Sequence, residues 1–226
     1  MRFQKHLLII ICVFVLYGAA VAEEPAGSGP KTDVIAPPGK SLRPGAAELG
    51  FWAGYSPDNP RIIGKTGNRP FYELNLQYAR VLYTRDTWAL KYTAELIPVA
   101  FIYQPRQGGV RVDLPNSRRT IYGSGLSPVG FQLNFRRGHA LQPYVNATAG
   151  VIYFTEQAPV SHSSQFNFIL GLGAGVQIWR QADQSVSIGY KFQHISNGYT
   201  ASLNPGVDSN LFYLGYSWSL NKYVRR

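Results

Sequence analysis

Three residues near the C-terminal end of the 226-residue chain have the side chains that a serine hydrolase uses: His194, Ser196 and Asp208. A serine hydroxyl is a weak nucleophile until a nearby imidazole removes its proton, and a carboxylate holds that imidazole in the required orientation. His194 and Ser196 are two positions apart, which puts both side chains on one face if the stretch is a β-strand. These residues therefore predict hydrolytic chemistry, provided that the fold brings Asp208 to the same face.

Residues 185–196 and 209–220 predict the two strands of a hairpin, because apolar and polar residues alternate along both. His194 and Ser196 continue the apolar face of the first strand. Asp208 extends the apolar face of the second strand backwards into the loop that joins them. We expect the hairpin to bring Ser196 and Asp208 close together across the ladder, with His194 one pleat below.

Each of the three residues has an ordinary explanation when it is taken alone. A histidine near the rim of a strand is often an amphipathic interface residue, a serine often ends a strand, and an aspartate often caps a loop. Together they share one otherwise apolar face and one end of a hairpin. Ionisable groups on a lipid-facing surface are costly and usually functional, which favours a hydrolytic site.

The first 22 residues predict a secretory signal peptide, which we exclude from the fold. Arg2 and Lys5 precede an apolar stretch at 7–17, and an Ala-x-Ala cleavage site follows at 20–22. The apolar stretch is too short to span a bilayer, and it contains the single cysteine of the chain. Without disulfides, the exported part must be held by a good core or by a lipid environment.

Residues 23–45 are rich in Pro, Gly, Ala and Ser and predict a flexible periplasmic lead-in, so the folded domain is expected to span 46–226. Removing Arg2 and Lys5 from the 22 basic residues leaves 20 against 12 acidic ones, a formal charge of +8. A basic surface favours an anionic partner, and export favours phosphorylated lipid over nucleic acid. Simple solubility is the alternative explanation of the charge.

Eight alternating runs predict an all-β fold. Besides the two strands of the hairpin they cover 47–55, 71–83, 87–103, 128–136, 142–155 and 165–180. Short turns alternate with longer links at 56–70, 104–127, 156–164 and 197–208. An even number of strands with this alternation is typical of an eight-stranded antiparallel transmembrane β-barrel, with short periplasmic turns and longer extracellular loops, in the bacterial outer membrane.

A soluble barrel that encloses a ligand is the rival architecture, with the apolar face turned inward. Long strands and the absence of disulfides favour the membrane barrel. So does the composition of the polar face, which suits a narrow interior with mutually paired charges. Its members include Glu73, Asn75, Gln77, Lys91, Thr93 and Glu95.

The segments 194–198 and 204–208 resemble the signature of the lipid A 3-O-deacylase (PagL-type) family, which has a His-x-Ser-Asn segment followed by an Asn-x-Gly-apolar-acid segment. Outside these segments the resemblance extends to the general plan of eight strands. It implies an outer-membrane esterase that removes the 3-hydroxyacyl chain from position 3 of lipid A. It also implies that Ser196 is the nucleophile, His194 the general base and Asp208 the orienting acid. Asp208 stands where glutamate is typical, and its shorter side chain must approach His194 more closely.

Further candidates surround this trio. Asn197 and Asn204 are candidate oxyanion donors, or ordinary turn asparagines. Four arginines in the second long link are candidate contacts for the phosphates of lipopolysaccharide, with a solvated loop as the alternative: Arg106, Arg111, Arg118 and Arg119. His139 and His162 lack neighbours at metal-ligand spacing, so no metal is expected, and no cofactor is implied.

Two other functions stay open on the sequence. One is a non-catalytic outer-membrane barrel that is structural or binds ligands, with polar residues at 194, 196 and 208 by accident. The other is an esterase that acts on another membrane lipid. The sequence also leaves a homodimer open.

Overall fold

The computed structural model describes residues 42–107, 113–180 and 183–220, and these form a closed barrel. Each strand pairs antiparallel with the next, and the last pairs with the first, so the predicted eight-stranded antiparallel barrel is confirmed. None of the described residues forms a helix that is long and apolar enough to cross a membrane. The strands are β1 (Ala47–Ser56), β2 (Phe71–Thr84), β3 (Trp88–Gln107), β4 (Asp113–Phe135), β5 (Leu141–Phe154), β6 (Phe166–Trp179), β7 (Gln184–Ser196) and β8 (Val207–Ser219).

The two ends of the barrel differ in the length of their connections. The turn end carries the short connections 85–87, 136–140 and 180–183. The loop end carries the longer connections 57–70, which we call loop 1, 155–165 and 197–206. This alternation agrees with the predicted pattern of short turns and long loops.

Strict alternation along each strand gives the barrel an apolar outer wall and a mostly polar inner wall. On β6, Leu170 and Leu172 point outward and are 59% and 64% exposed, whereas Asn167 and Gln177 point inward and are buried. A soluble protein seldom leaves so many large apolar side chains exposed on one continuous surface. Apolar residues on the outside and polar residues on the inside are the arrangement of a barrel whose outer wall contacts lipid.

The middle of the interior contains two buried ion pairs. Lys91 Nζ lies 2.7 Å from a carboxylate oxygen of Glu48, and Lys191 Nζ lies 3.0 Å from Glu95. The Lys191 ammonium also lies 4.5 Å from the centre of the Trp52 ring, a cation–π contact. Because the side chains come from strands on different sides of the barrel, these contacts tie its walls together, and the predicted interior of paired charges is observed.

Apolar side chains fill the interior above and below this polar middle. The layer at the turn end consists of Leu42, Ala46, Val81, Ala89 and Trp179. The layer toward the loop end consists of Phe71, Ile97, Ala100, Ile102, Ile121, Ile152, Phe154, Ala158, Ile169, Ile195, Val207 and Leu211. The interior is thus packed rather than hollow, as in other narrow barrels of eight strands.

Residues 42–45, which the sequence assigns to the end of the lead-in, pack against the turn end. The Gly45 N–H donates to the Val81 carbonyl at 2.8 Å, and the Arg137 Nε–H donates to the Leu42 carbonyl at 2.9 Å. Leu42 is fully buried. The predicted signal peptide at 1–22 and the rest of the lead-in lie outside the described residues.

The prediction of a long link at 104–127 was wrong, because β3 and β4 continue as a paired hairpin beyond the other strands. Their ladder includes the pairs Ile102–Ile121 and Gln104–Arg119. Glycine and proline in this stretch suggested a loop. In the fold, a Cβ at Gly125 would lie only 2.3 Å from the Val151 carbonyl oxygen, so this glycine permits close strand pairing.

Candidate active site

His194 and Asp208 form a hydrogen-bonded pair on the outer wall, near the loop end. They are direct cross-strand partners on β7 and β8, and His194 Nδ1 lies 2.7 Å from Asp208 Oδ1. The His194 side chain is 13% exposed and the Asp208 side chain is fully buried. When the carboxylate is ionised, it accepts the proton on Nδ1, and this arrangement leaves Nε2 free to accept a proton.

Ser196 lies on the same wall, two residues farther along β7 toward the loop end. Its cross-strand partner is Phe168 of β6, so the expected pairing of Ser196 with Asp208 was wrong by two residues. The reason is the register, in which the loop 197–206 begins directly after Ser196 and the ladder to β8 ends at Ile195. Among the described residues, the Ser196 hydroxyl has no hydrogen-bond partner.

Gly206 lies against the imidazole ring of His194. A Cβ at this position would approach Cε1 to 2.9 Å and Nε2 to 3.5 Å. The residue also has a φ of +60°, a conformation that other residues rarely adopt. A side chain here would displace the ring, so the glycine between Asn204 and Asp208 keeps the imidazole edge accessible.

Asp208 is buried because loop 1 folds over its carboxylate. Oδ2 accepts the backbone N–H groups of Ile62 and Ile63 at 2.8 Å each, and the Gly64 nitrogen lies 3.0 Å from both oxygens. The Asn59 amide donates to the backbone carbonyl of Asp208 at 2.6 Å. The charge of the carboxylate is thereby stabilised by backbone dipoles and by the imidazole.

None of the residues that the sequence marks as site candidates lies in this part of loop 1. The sequence signal that was present is a pair of isoleucines followed by a glycine in an otherwise polar loop. The side chains of Ile62 and Ile63 are 72% and 60% exposed, close to the His194–Asp208 pair. Tyr199, in the loop after Ser196, is 85% exposed. Apolar side chains of loop 1 thus stand beside the pair.

Asn197 and Asn204 brace the loop that follows Ser196. The buried Asn197 side chain accepts the Tyr199 N–H at 2.9 Å and donates to the Leu203 carbonyl at 2.8 Å. Its backbone N–H donates to Asn204 Oδ1 at 3.0 Å. These bonds occupy the amide and the backbone N–H of Asn197, whereas the Asn204 amide nitrogen has no such bond among the described residues.

Arg106, Arg118 and Arg119 lie on the β3–β4 hairpin, which is separated from β7 and β8 by two strands on either side of the closed barrel. Arg118 donates to the Asn68 side chain, and Arg119 forms an ion pair with Glu156. Arg106 is exposed on β3, and Arg111 lies outside the described residues. The structure therefore does not bring these side chains together with His194 and Ser196.

Comparisons with known proteins agree with the fold and the sequence signature. Residues 73–217 match the family described as lipid A 3-O-deacylase (PagL). The crystal structure of the outer membrane enzyme PagL is 20% identical, with a TM-score of 0.52, and the similarity covers 74% of this chain and 97% of that one. Neisserial surface protein A is 14% identical, with a TM-score of 0.48 and coverage of 76% and 96%. No curated protein matches the chain.

The structural similarity supports an outer-membrane barrel, and the family match is more specific. It covers well over half of the chain and spans strands β2 to β8 almost completely. The matched region includes all three residues that the sequence singles out for chemistry. The chain therefore belongs to the lipid A 3-O-deacylase (PagL) family.

Proposed function

We propose that this protein is a lipid A 3-O-deacylase that hydrolyses the ester at position 3 of lipid A with Ser196, His194 and Asp208. The observation that carries the proposal is the 2.7 Å hydrogen bond between His194 and Asp208 on the outer wall, with Ser196 on the same face. Family membership supports the reaction class and the substrate. The geometry supports the assignment of roles to the individual residues.

The reaction begins when Ser196 Oγ attacks the ester carbonyl carbon and His194 Nε2 takes the hydroxyl proton. Asp208 stabilises the imidazolium that forms. The carbon–oxygen bond to the sugar then breaks, and His194 returns the proton to the sugar oxygen, leaving the acyl chain on Ser196. A water molecule, deprotonated by His194, attacks this acyl-enzyme; the bond between Ser196 Oγ and the acyl carbon breaks, His194 returns the proton to Oγ, and a 3-hydroxy fatty acid is released. The step is a net hydrolysis that requires water alone as co-substrate.

The position on the outer wall suits a substrate that is itself part of the membrane. With the loop end facing the outside of the cell, the site lies at the level of the outer leaflet, which lipid A reaches by lateral diffusion. The surrounding apolar side chains exclude water during acylation. The rim of the barrel admits water for the second step.

The structure shows no hydrogen bond between the hydroxyl of Ser196 and His194. Such bonds are often long without substrate and tighten in the complex. A rotation of the serine side chain about χ1 changes the direction of Oγ without moving the strand. We therefore expect the nucleophile and the base to meet when the ester is bound.

The oxyanion and phosphate contacts remain part of the proposal. The Asn204 amide nitrogen is the better oxyanion candidate, because the donors of Asn197 already bond within the loop. A phosphate contact by Arg118 or Arg119 requires the exchange of their present partners, Asn68 and Glu156. Each assignment concerns binding or transition-state stabilisation and leaves the roles of the three reacting residues unchanged.

The test is to express the chain in a Gram-negative host and to weigh the lipid A by mass spectrometry. Loss of one hydroxyacyl unit is expected with the wild type, and unchanged lipid A with Ser196→Ala and His194→Asn. Heat-modifiable migration in gels verifies that each variant is folded. An inserted wild-type barrel that leaves lipid A unchanged would contradict the proposal, and fatty acid released from phospholipid instead would assign the esterase to another lipid.

A further inference from the structure

Backbone N–H groups of loop 1 hold the Asp208 carboxylate in position. The contacts come from three consecutive N–H groups, those of Ile62, Ile63 and Gly64, and both carboxylate oxygens are engaged. Rotation about the Cβ–Cγ bond of Asp208 would break the bonds to these groups, so the oxygen that meets His194 Nδ1 is fixed in direction. Asp208 is shorter than the glutamate that is typical of the family. The backbone of loop 1 holds it in place.

Loop 1 is itself docked onto the start of β8 by further backbone bonds. The Lys65 N–H donates to the Pro205 carbonyl at 2.7 Å, and Thr66 forms a parallel bridge with Val207. Asn59 closes the loop, because it donates to the Asp208 carbonyl and accepts the Arg69 N–H. Residues 62–66, which we call the seat segment, therefore run beside the strand that carries the acid.

Gly64 is the residue that permits this close approach. A Cβ added here would lie 3.0 Å from the Asp208 nitrogen and 3.0 Å from the carbonyl carbons of Gly206 and Val207. All three atoms belong to backbone, at the start of β8 and in the residue before it, so they cannot move aside as a flexible side chain would. An alanine would push the seat segment away from β8 by a few tenths of an ångström or more.

We propose that the seat segment is the positioning element of the catalytic acid, with Gly64 as the residue that sets its distance from Asp208. The inference rests on the proposed hydrolysis for its kinetic consequence, but the geometry of the pair can be tested without activity. The backbone N–H groups of this segment touch neither substrate nor reacting atoms. They act through Asp208 on the orientation of the His194 ring.

The expected signature of Gly64→Ala is a lower kcat with an unchanged KM. Small displacements of a catalytic group reduce rates strongly, and we expect a decrease of about 10- to 100-fold. Substrate binding should persist, because the outer wall and the side chains of Ile62 and Ile63 are retained. The low-field proton resonance of His194 Nδ1–H should shift or broaden, since this proton reports the bond to Asp208.

Gly67→Ala is the matched control in the same loop. The three atoms nearest to its added Cβ all belong to the guanidinium of Arg61, the first at 2.8 Å, and that flexible side chain can move. We expect wild-type kcat, KM and resonance for this variant. Asn59→Ala serves as a second probe if Gly64→Ala does not fold, because it loosens the loop without adding bulk, and it should lower kcat in the same direction.

The experiment uses the full barrel refolded in detergent micelles that contain purified lipid A, with acyl release and the imidazole resonance measured for each variant. A Gly64→Ala or Asn59→Ala protein with wild-type kcat and resonance would overturn the inference, as would equal losses in Gly64→Ala and Gly67→Ala. If the wild type releases no acyl chain, the proposed function fails. The resonance still decides separately whether the seat segment positions the pair.

Discussion

Strand β7 presents polar side chains on both walls of the barrel, and the two sets are stabilised in different ways. On the inner wall, Lys191 pairs with Glu95, and Gln193 donates to Glu73 at 3.2 Å. On the outer wall, His194 pairs with Asp208, whose remaining contacts are backbone N–H groups. The inner groups meet side chains from across the barrel, whereas the outer pair depends on a loop.

The difference separates the polar groups that maintain the fold from those that the proposed chemistry uses. Inside, charges neutralise one another and are shielded from water on all sides, so their removal should affect stability. Outside, the loop holds only the acid and leaves Nε2 of His194 and the hydroxyl of Ser196 without such partners. Groups that are available to react lie on the wall where the fold does not require them.

The largest expected effect follows from His194→Asn on the outer wall. The variant lacks the base, and we expect kcat to fall by about 10⁴-fold, the scale seen when a triad loses its function. Unfolding in urea should change little, because Asp208 retains its backbone donors. Retained acyl release, or a large loss of stability, would contradict the division between the walls.

The next largest effect concerns the inner wall of the same strand. Lys191→Met leaves Glu95 buried without its partner, and we expect destabilisation of about 3–5 kcal/mol, as for other broken buried pairs. The measurement is the urea midpoint of the refolded barrel, followed by tryptophan fluorescence. The folded fraction of Lys191→Met should keep the wild-type kcat. His194→Asn is the control, because it should lose kcat and keep its stability.

A smaller effect is expected for Asp208→Glu, which lengthens the acid within its closed site. Overfilling a buried position costs roughly 1–3 kcal/mol of folding free energy. We also expect the enzymatic activity to fall, because the carboxylate is displaced. Combined with Gly64→Ala, which moves the seat segment outward, the longer side chain should be tolerated better. A double-mutant cycle measures this coupling, and strict additivity would argue against contact between the two positions.

The smallest effect is expected at the rim, where Arg119 pairs with Glu156. Both side chains are partly exposed, and such pairs contribute only about 0.2–1 kcal/mol. Arg119→Gln should therefore leave the unfolding midpoint almost unchanged. The KM for lipid A decides the proposed phosphate contact: a clear increase supports it, and an unchanged value removes Arg119 from the binding site.

The sequence predicted the barrel and its sidedness because both depend on a period of two. Lys91 and Glu95 fall on one face of a strand, and His194 and Ser196 on the outward face of another, whatever the exact register. That His194 and Ser196 share the outer wall was predictable for the same reason. The alternation of side chains along a strand assigns each residue to the inner or the outer wall, even when the loops are predicted wrongly.

Register and loop structure were not predictable in the same way. The pairing of His194 with Asp208 depends on where β8 starts, which alternation alone did not reveal. The docking of loop 1 consists of backbone bonds between distant segments, such as Lys65 with Pro205, and these leave no pattern in side chains. The extension of the β3–β4 hairpin was not predicted, because glycines such as Gly125 suggested a loop. In the fold, Gly125 permits close strand pairing instead.

Burial of Leu42 with Trp179 at the turn end has a consequence for the permeability of the membrane. Together with the apolar layer toward the loop end, it closes the lumen of the described barrel at two levels, so that a passing ion would shed its hydration shell twice. Insertion of many copies into a planar bilayer should leave its electrical conductance at the background level. If the proposed function holds, the cell would modify its surface lipid without opening a leak for solutes.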